Sequence, residues 1–438
     1  MHESMFEQID FGPLKEFLEN DDITDISYDN GGQIHLKTLS RGIYRIEKPE
    51  INNAFMEKLA FQCSNVMGKT FNMAHPFLDA ESAELRLNFV HDSIATNGIA
   101  CVIRKTPAKI RLQKEKIIAE KYIEPDIHDF LEYCVKGHCN IIACGETGSG
   151  KTELVKYLAS KIAEDEKIIT IEDTLELHLD RIFPHRDIVS MKTNNIASYS
   201  DVLVTCMRQN PKWILLSEVR SAEAVLAVRN SISSGHYILS TIHADKAASI
   251  PNRMYSLLET SQNIEQFLKT IHRYVQIGIY VRGYTDKATH NFVREIAEVT
   301  EFYVDENNEA KSNTIYRKTA NGTVNRKNPS KYLVDYLEVQ GVYLPKEMLL
   351  LGENVPLSEA EGKIKENSNG RIPIIDTSAG TKTLEPASSQ VKVETPQPPV
   401  VESKPEPKVV PEQPVPIVKV APQPVQTPVG QAPIVNNE

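Results

Sequence analysis

The first hundred residues alternate between apolar and polar positions in several short segments. Alternation with a period of two is typical of half-buried strands, and the first two segments meet at Asn30-Gly31-Gly32, a sequence typical of a hairpin turn. A stretch with helical spacing, Phe55 to Cys63, precedes two further segments of the same kind. The predicted strands are Ile23 to Tyr28, Gln33 to Leu36, Glu84 to Phe89 and Ile99 to Ile103. We therefore predict a small α+β N-terminal domain over residues 1–108.

Residues 125–318 follow a different pattern, in which the strand-length segments are apolar at nearly every position. Such runs are typical of strands buried on both faces of a sheet. The predicted strands are Ile141 to Cys144, Lys167 to Ile171, Trp213 to Leu216 and Tyr237 to Ile242. After the first strand, apolar residues recur at helical spacing at Leu154, Val155, Leu158 and Ile162. The pattern predicts an α/β domain.

Three flanking regions lack a strong pattern. Residues 109–124 are rich in lysine, and we predict a mobile connection between the domains. Residues 319–376 keep enough apolar character for one or two helices in a small accessory extension. Residues 377–438 are rich in proline, which predicts a disordered, extended tail. The tail suits a spacer, a docking peptide for a partner or an idle solubilising segment equally well.

Composition narrows the class of protein. With 438 residues, 41% of them apolar, the chain can supply a core to more than one domain, and its net charge of −10 argues against a sequence-blind nucleic-acid coat. No run of 18 apolar residues is present and the first residues are acidic, so we expect neither a membrane span nor a signal peptide. The six cysteines form no C-x-x-C pair, which predicts buried thiols in a reducing cytosol.

The strongest chemical signal is the segment GETGSGKT, which fits the phosphate-loop pattern G-x-x-x-x-G-K-[ST] between a predicted strand and a predicted helix. Its glycines let backbone N–H groups turn inward around an anion, Lys151 can reach the β- and γ-phosphates, and Thr152 can bind Mg²⁺. The alternative is a chance glycine-rich turn. The candidate nucleotide-binding residues are Gly145, Glu146, Thr147, Gly148, Ser149, Gly150, Lys151 and Thr152.

Charged residues follow the next strands at the sheet edge where ligands bind. Glu172, Asp173 and Glu176 follow the second strand, and Glu218 and Arg220 follow the third. One carboxylate of such a set holds Mg²⁺ and another orients water, whereas the alternative is that these residues cap helices. A histidine that ends the fourth strand, His243, is by itself a weak signal, because such residues are often structural hydrogen bonders.

Two arginines lie within apolar strands of the N-terminal domain, Arg86 in ELRLNF and Arg104 in CVIRK. From composition alone, a salt bridge at the end of a strand is the preferred interpretation of either residue.

Four segments in order resemble the Walker A, Asp-box, Walker B and His-box series of the type II/type IV secretion superfamily of traffic ATPases. They are GETGSGKT, IEDTLEL, RQNPKWILLSEVRSAEA and SGHYILSTIHAD. The resemblance extends upstream to LRLNFVHDSIATNGIACVIRK and downstream to FVREIAEV, and it covers residues 13–317. It is nearest to the type IV secretion and conjugation branch, because no C-x-x-C pair of a zinc insertion follows Glu218.

The resemblance implies an α/β fold in which the N-terminal α+β domain precedes a P-loop (RecA-like) ATPase domain. It also implies roles for single residues. Lys151 and Thr152 match the phosphate and Mg²⁺ ligands, Glu218 matches the Walker B glutamate that holds Mg²⁺ through water, and Glu172 matches the glutamate that acts on water. His243 matches the His-box residue. Arg86 and Arg104 match arginines that reach the phosphates, and Arg208 and Arg220 match arginines that stabilise charge or contact a neighbouring subunit.

Two positions depart from the family pattern. Ser217 stands where a glycine usually precedes the Walker B glutamate, and Gln209-Asn210 replaces an apolar residue followed by an acidic one. Neither change removes a charge that the chemistry needs.

The resemblance further implies a homo-hexamer that binds ATP and Mg²⁺, hydrolyses ATP to ADP and phosphate, and works at the cytoplasmic face of the cell membrane with inner-membrane components of a secretion or conjugation machine. The resemblance does not identify whether the transported substrate is protein or DNA. Two alternatives are a pilus assembly or retraction motor and a nucleotide-gated scaffold with negligible turnover.

Overall fold

The computed structural model describes residues 9–29, 31–82, 84–194, 196–258 and 263–352. All of them belong to one compact unit of the chain, Met1–Arg371. A second unit, Ile372–Glu438, lies outside the described residues, as do the predicted proline-rich tail and the end of the predicted extension.

The N-terminal part of the chain forms an antiparallel sheet with the strand order β3-β2-β1-β6-β5-β4. Its strands are β1 (Ile23–Tyr28), β2 (Ile34–Thr38), β3 (Gly42–Ile46), β4 (Phe77–Glu81), β5 (Leu85–Val90) and β6 (Ala100–Lys105). The helices of this part are a 3₁₀ turn (Gly12–Leu14), α1 (Lys15–Glu19) and α2 (Asn53–Met67). One face of the sheet packs on α2 around the buried side chains of Leu59, Leu87 and Phe89. The opposite face carries the polar side chains of the alternating pattern.

Local sequence sets the ends of α2. The Asn52 side chain accepts a hydrogen bond from Phe55 N at 3.1 Å, which satisfies one of the free N–H groups of the first turn. The helix ends at Gly68, which has a left-handed φ of 60°.

The second sheet has the strand order β15-β14-β13-β12-β7-β11-β10-β8-β9. Strands β12, β7, β11, β10, β8 and β9 are parallel, and β13 to β15 extend the sheet as an antiparallel edge. The strands are β7 (Ile141–Cys144), β8 (Ile168–Glu172), β9 (Ile188–Lys192), β10 (Trp213–Val219), β11 (Tyr237–Ile242), β12 (Ile277–Thr285), β13 (Phe292–Val304), β14 (Ala310–Lys318) and β15 (Val324–Arg326).

Helices cover both faces of this sheet. Alternate residues of the strands enter two different apolar clusters: Ile141 and Leu215 lie in one, and Ile142 and Ile214 lie in the other. Complete burial of both faces explains why these strands are apolar throughout. The helices are α3 (Lys114–Ala119), α4 (Pro125–Lys136), α5 (Lys151–Ala159), α6 (Leu179–Ile182), α7 (Tyr199–Met207), α8 (Ala222–Ser233), a 3₁₀ turn (Ala247–Ser249), α9 (Ile250–Ser256), α10 (Ile264–Tyr274), α11 (Lys331–Val339) and α12 (Lys346–Leu349).

The structure confirms the predicted fold class, a small α+β domain followed by a P-loop α/β domain. Two features differ in detail from the sequence-based expectations. Residues 109–124, predicted to be a mobile connection, contain α3, and Ile117 and Tyr122 within them are buried. Strands β3, β4, β9 and β12 to β15 were not predicted as strands; β12 pairs with β7 inside the second sheet, and β13 to β15 extend that sheet as its antiparallel edge.

Two further expectations concern single groups. All six cysteines lie among the described residues, and each is a buried free thiol. Burial raises the pKa of Cys63 to about 12, which makes this thiol unreactive. Among the described residues, no helix combines the length and the apolar character needed to cross a bilayer.

Candidate nucleotide-binding site

The phosphate loop lies between β7 and α5, at the carboxyl edge of the parallel strands. Gly145 follows β7 at a position where a β-carbon would lie 2.2 Å from the carbonyl oxygen of Val281 on β12, so no larger residue fits. Gly148 has a left-handed φ of 78°, which glycine adopts without strain. Because α5 begins directly after Gly150, its first N–H groups face the loop, where they can bind an anion.

Lys151 is folded back over the loop. Its ammonium group donates hydrogen bonds to the carbonyl oxygens of Gly145 at 3.0 Å and Glu146 at 2.9 Å. The side chain is buried, and desolvation lowers its pKa against the opposing charge of Glu218. The next residue, Thr152, donates from its hydroxyl group to Glu176 Oε2 at 3.2 Å. The two residues that the sequence assigned to phosphate and Mg²⁺ therefore lie beside a carboxylate.

The loop after β8 separates the roles of its two glutamates. Glu172 is fully buried, and its Oε2 accepts hydrogen bonds from the backbone N–H groups of Glu176 at 2.8 Å and Leu177 at 3.0 Å. Its Oε1 accepts from the Thr170 hydroxyl at 3.1 Å. Burial raises the pKa of Glu172 to about 7. Glu172 therefore fixes the conformation of the loop, and this conformation directs Glu176 toward Thr152.

A second polar cluster forms where β10 and β11 end. His243 Nε2 lies 2.7 Å from Glu218 Oε1, and Arg220 Nη1 lies 3.8 Å from Glu218 Oε2. Arg220 also bonds to Asp173 of the loop after β8. Asp173 and Glu218 outweigh the effect of burial on Arg220 and raise its pKa. Glu218 and Arg220 together thus join the ends of three strands, because Glu218 contacts His243 and Arg220 contacts Asp173.

A cavity of about 660 Å³ lies between the phosphate loop and the N-terminal sheet. Lys151, Thr152 and Glu176 line one side. Arg104 lines the other, where its Nε donates to Asp25 Oδ1 at 2.8 Å. Burial disfavours the charged form of Arg104, but Asp25, Glu176 and Glu218 outweigh this effect and raise its pKa. The volume is in the range of small-molecule and cofactor sites, about 300–1,000 Å³.

The structure brings most of the predicted site residues to this region. Arg86 lies beside Arg104 in the register of β5 and β6, although it does not line the cavity. Glu218 acts through its charge on the cavity residues Lys151 and Arg104, and His243 contacts Glu218. Arg208 is the exception, because it is exposed at the end of α7 and lies outside the cavity lining found among the described residues.

Among the cavity residues that were not assigned a role from the sequence are Lys37 on β2, Arg111, and Arg294 on β13. Arg294 lies in FVREIAEV, where a charge within a strand pattern is a usable signal. Lys37 and Arg111 carry no such signal, because solvated lysines and arginines are common in strands and connections.

Unpaired donors around the cavity fit an anion. Nε and Nη2 of Arg111 and Oγ of Ser149 are buried without a hydrogen-bond partner among the described residues. Buried donors without acceptors are costly, so a ligand rich in negative oxygen atoms would stabilise this arrangement. Phosphates meet this requirement.

Comparison with known proteins agrees with the site. The family model described as type II/IV secretion system protein matches residues 78–318, which is more than half of the chain. An uncharacterised protein of Bacillus anthracis is 28% identical over 293 residues, which cover 65% of this chain and 66% of that protein. The type IV secretion system protein VirB11 of Bartonella quintana is 39% identical over 155 residues, or 34% of this chain and 42% of that protein. The matches thus cover less than two thirds of either relative.

Among solved structures, the ATPase DotB of Yersinia pseudotuberculosis is similar with a TM-score of 0.51 at 16% identity, over 70% of this chain and 81% of that chain. A likeness at this identity shows a shared fold. The match to the family model includes the phosphate loop and both carboxylate strands, and it confirms the resemblance of the motifs. The chain belongs to the type II/IV secretion system protein family.

Proposed function

We propose that this chain is an ATP-hydrolysing motor of a type IV secretion or conjugation apparatus. The observation that carries the proposal is a single cavity in which Lys151 and Thr152 of the phosphate loop, Glu176 and Arg104 of the N-terminal domain face each other. Relatives described as type IV secretion system proteins support this branch of the family.

Nucleotide phosphates would replace the contacts that Lys151 now makes. Its ammonium group donates to two loop carbonyls, so a move onto phosphate oxygens exchanges two neutral acceptors for charged ones. The loop N–H groups and the first turn of α5 would bind the remaining oxygens.

The site also fits Mg²⁺. The hydroxyl of Thr152 and the carboxylate of Glu218, whose charge acts on the adjacent Lys151, are hard oxygen ligands of the kind that this ion prefers, directly or through water. When bound, Mg²⁺ would neutralise charge that develops on the phosphates.

We assign the water-orienting role to Glu176 and not to Glu172. Both carboxylate oxygens of Glu172 already accept hydrogen bonds inside the protein, whereas Glu176 lines the cavity. A group that positions water must reach the space beside the γ-phosphate. Glu172 acts one step away, because it holds the loop that presents Glu176.

Arg104, with Arg86 beside it, would stabilise charge on the phosphates when the N-terminal domain closes over them. His243 would hold Glu218 in position, and Arg220 would connect the carboxylate loops. For the exposed Arg208 we propose a contact to a neighbouring subunit of the ring. Closure of the N-terminal domain around ATP, and its release after hydrolysis, would be the mechanical step.

We further propose that six copies form a ring that binds inner-membrane components of the machine at its cytoplasmic face. The sequence motifs indicate an ATPase but do not identify what it transports or assembles. Copurification with membrane proteins of the host complex would therefore distinguish a secretion motor from a pilus assembly or retraction motor.

Steady-state ATP hydrolysis by wild type and Lys151→Ala, with and without membranes that contain the machine, tests the proposal. We expect turnover in wild type and its loss in the variant, with little change in melting temperature, because Lys151 contacts loop carbonyls and not the apolar core. Tight ATP binding without turnover under any condition would favour a nucleotide-gated scaffold. Equal hydrolysis by both proteins would refute the assignment of the loop.

A further inference from the structure

The turn between β2 and β3 of the N-terminal sheet is fixed to the phosphate-loop domain. Phe292 N donates to the carbonyl oxygen of Ser40 at 2.9 Å, and the Phe292 ring packs beside Gly42. Arg294 donates from Nη1 to the carbonyl oxygen of Leu39 at 3.1 Å and from Nε to that of Gly148 at 3.3 Å. One guanidinium group on β13 therefore joins the N-terminal hairpin directly to the phosphate loop.

This connection places Lys37 over the loop. A β-carbon built on Gly148 would lie 2.3 Å from Lys37 Nζ and 3.2 Å from its Cε, so the ammonium group lies directly against the backbone of the loop. Lys37 also lines the cavity together with Lys151 and Thr152. Glycine at position 148 therefore serves two purposes, a left-handed turn and the close approach of this lysine.

The charge of Lys37 is not neutralised by its nearest strand partner. Asp25 faces Lys37 in the register of β1 and β2, but its Oδ1 accepts from Arg104 and its Oδ2 from the Thr24 hydroxyl. Among the described residues, no ion pair to Lys37 is found. A half-buried cation that faces an anion-binding loop is therefore left to be neutralised from the cavity.

We infer that Lys37 binds the phosphates of the nucleotide directly, as a cation supplied to the site by the N-terminal hairpin. The inference rests on the proposed function, and it adds a residue that lies outside the matched family segment of residues 78–318. An ammonium group is a compact charge with three donors, well suited to phosphate oxygens. Arg294 is then a positioning residue, because it sets the distance between the hairpin and the loop.

Affinities of ATP and ADP for Lys37→Gln, Lys37→Arg and the matched control Arg45→Gln test this inference. Arg45 is an exposed cation on the neighbouring strand β3 of the same hairpin, with Glu47 as its partner. Because a hydrogen bond to a charged group is lost, we expect Lys37→Gln to weaken binding about tenfold or more. Lys37→Arg keeps the positive charge and should bind nucleotide more tightly than Lys37→Gln. Arg45→Gln should bind like wild type.

The melting temperature without nucleotide separates a binding role from a structural one, because removal of a half-buried lysine that has no ion pair within the described part of the chain should barely change it. Unchanged affinity in Lys37→Gln would overturn the inference, as would an equal loss in Arg45→Gln. Loss of affinity in Lys151→Ala, with unchanged affinity in Lys37→Gln, would leave the proposed function standing and remove only the role of Lys37. Weaker binding in Lys37→Gln, in a protein that never hydrolyses ATP, would support Lys37 and refute the motor.

Discussion

The buried carboxyl group of Glu172 predicts an unusual dependence of stability on pH. Burial raises its pKa from 4.5 to about 7 in the folded chain, although the hydrogen bonds from Glu176, Leu177 and Thr170 favour the carboxylate. The unfolded chain keeps the ordinary value, so between these two pH values the folded state binds more protons than the unfolded state. The free energy of unfolding must therefore fall as the pH rises through this window.

The structure gives the size of this effect. The shift from 4.5 to about 7 corresponds to a loss of about 3 kcal/mol of unfolding free energy above the window. Glu172→Gln removes the titration. The amide oxygen can still accept from Glu176 N and Leu177 N, and the amide NH₂ can donate to the Thr170 hydroxyl. Relative to wild type, the variant should therefore gain about 2–3 kcal/mol between pH 5 and pH 8.

Thermal unfolding without nucleotide, measured at several pH values between 5 and 8, tests this prediction. A gain of this size raises the melting temperature by several degrees relative to wild type at the alkaline end. Glu223→Gln, at an exposed position in the first turn of α8, is the matched control and should follow the wild-type profile. Parallel profiles of Glu172→Gln and wild type would refute the raised pKa, whether or not the variant is less stable by a constant amount.

Glu176→Gln should lower turnover by about 10²–10⁴-fold while ATP binding persists, which single-turnover measurements would show, and near-normal turnover would contradict our assignment of the water-orienting role. Glu218→Gln should need more Mg²⁺ than wild type for the same ATP affinity, and an unchanged Mg²⁺ titration would exclude a role at the metal. Arg104→Ala should weaken the binding of ATP more than that of ADP. The melting temperature without nucleotide should barely change, because the half-exposed ion pair of Arg104 with Asp25 contributes at most about 1 kcal/mol to the free energy of unfolding. A large loss of stability without nucleotide, with an unchanged preference for ATP over ADP, would show that Arg104 is structural. Leu337→Ala should lower the free energy of unfolding by about 2–5 kcal/mol, measured from melting curves, because this fully buried residue packs the extension on the core. An unchanged melting temperature would show that α11 contributes little to stability.

Local sequence is sufficient to predict the elements whose surroundings are uniform. Strands such as Ile141–Cys144 are buried on both faces, so every position must be apolar. Such a strand can be predicted without knowing which segments pack against it. The phosphate loop is equally local, because a strand, a glycine-rich turn and a helix follow one another within one short segment. Strand β13 was not predicted because the buried residues Glu295, Glu298 and Glu301 interrupt its apolar pattern. These carboxylates are tolerated because cations and amides on neighbouring segments pair with them, and a single sequence does not show such pairs.

Long-range packing sets which charged side chains share the nucleotide cavity. The sequence placed Glu172 and Glu176 at the same sheet edge, but the backbone path after β8 turns one into the core and the other toward Thr152. Lys37 reaches Gly148 because Arg294, 255 residues beyond Leu39, holds the hairpin against the loop. Contacts over such separations depend on how two sheets pack, and packing is set by the sum of many weak interactions across the interface. Local sequence patterns therefore do not predict these contacts.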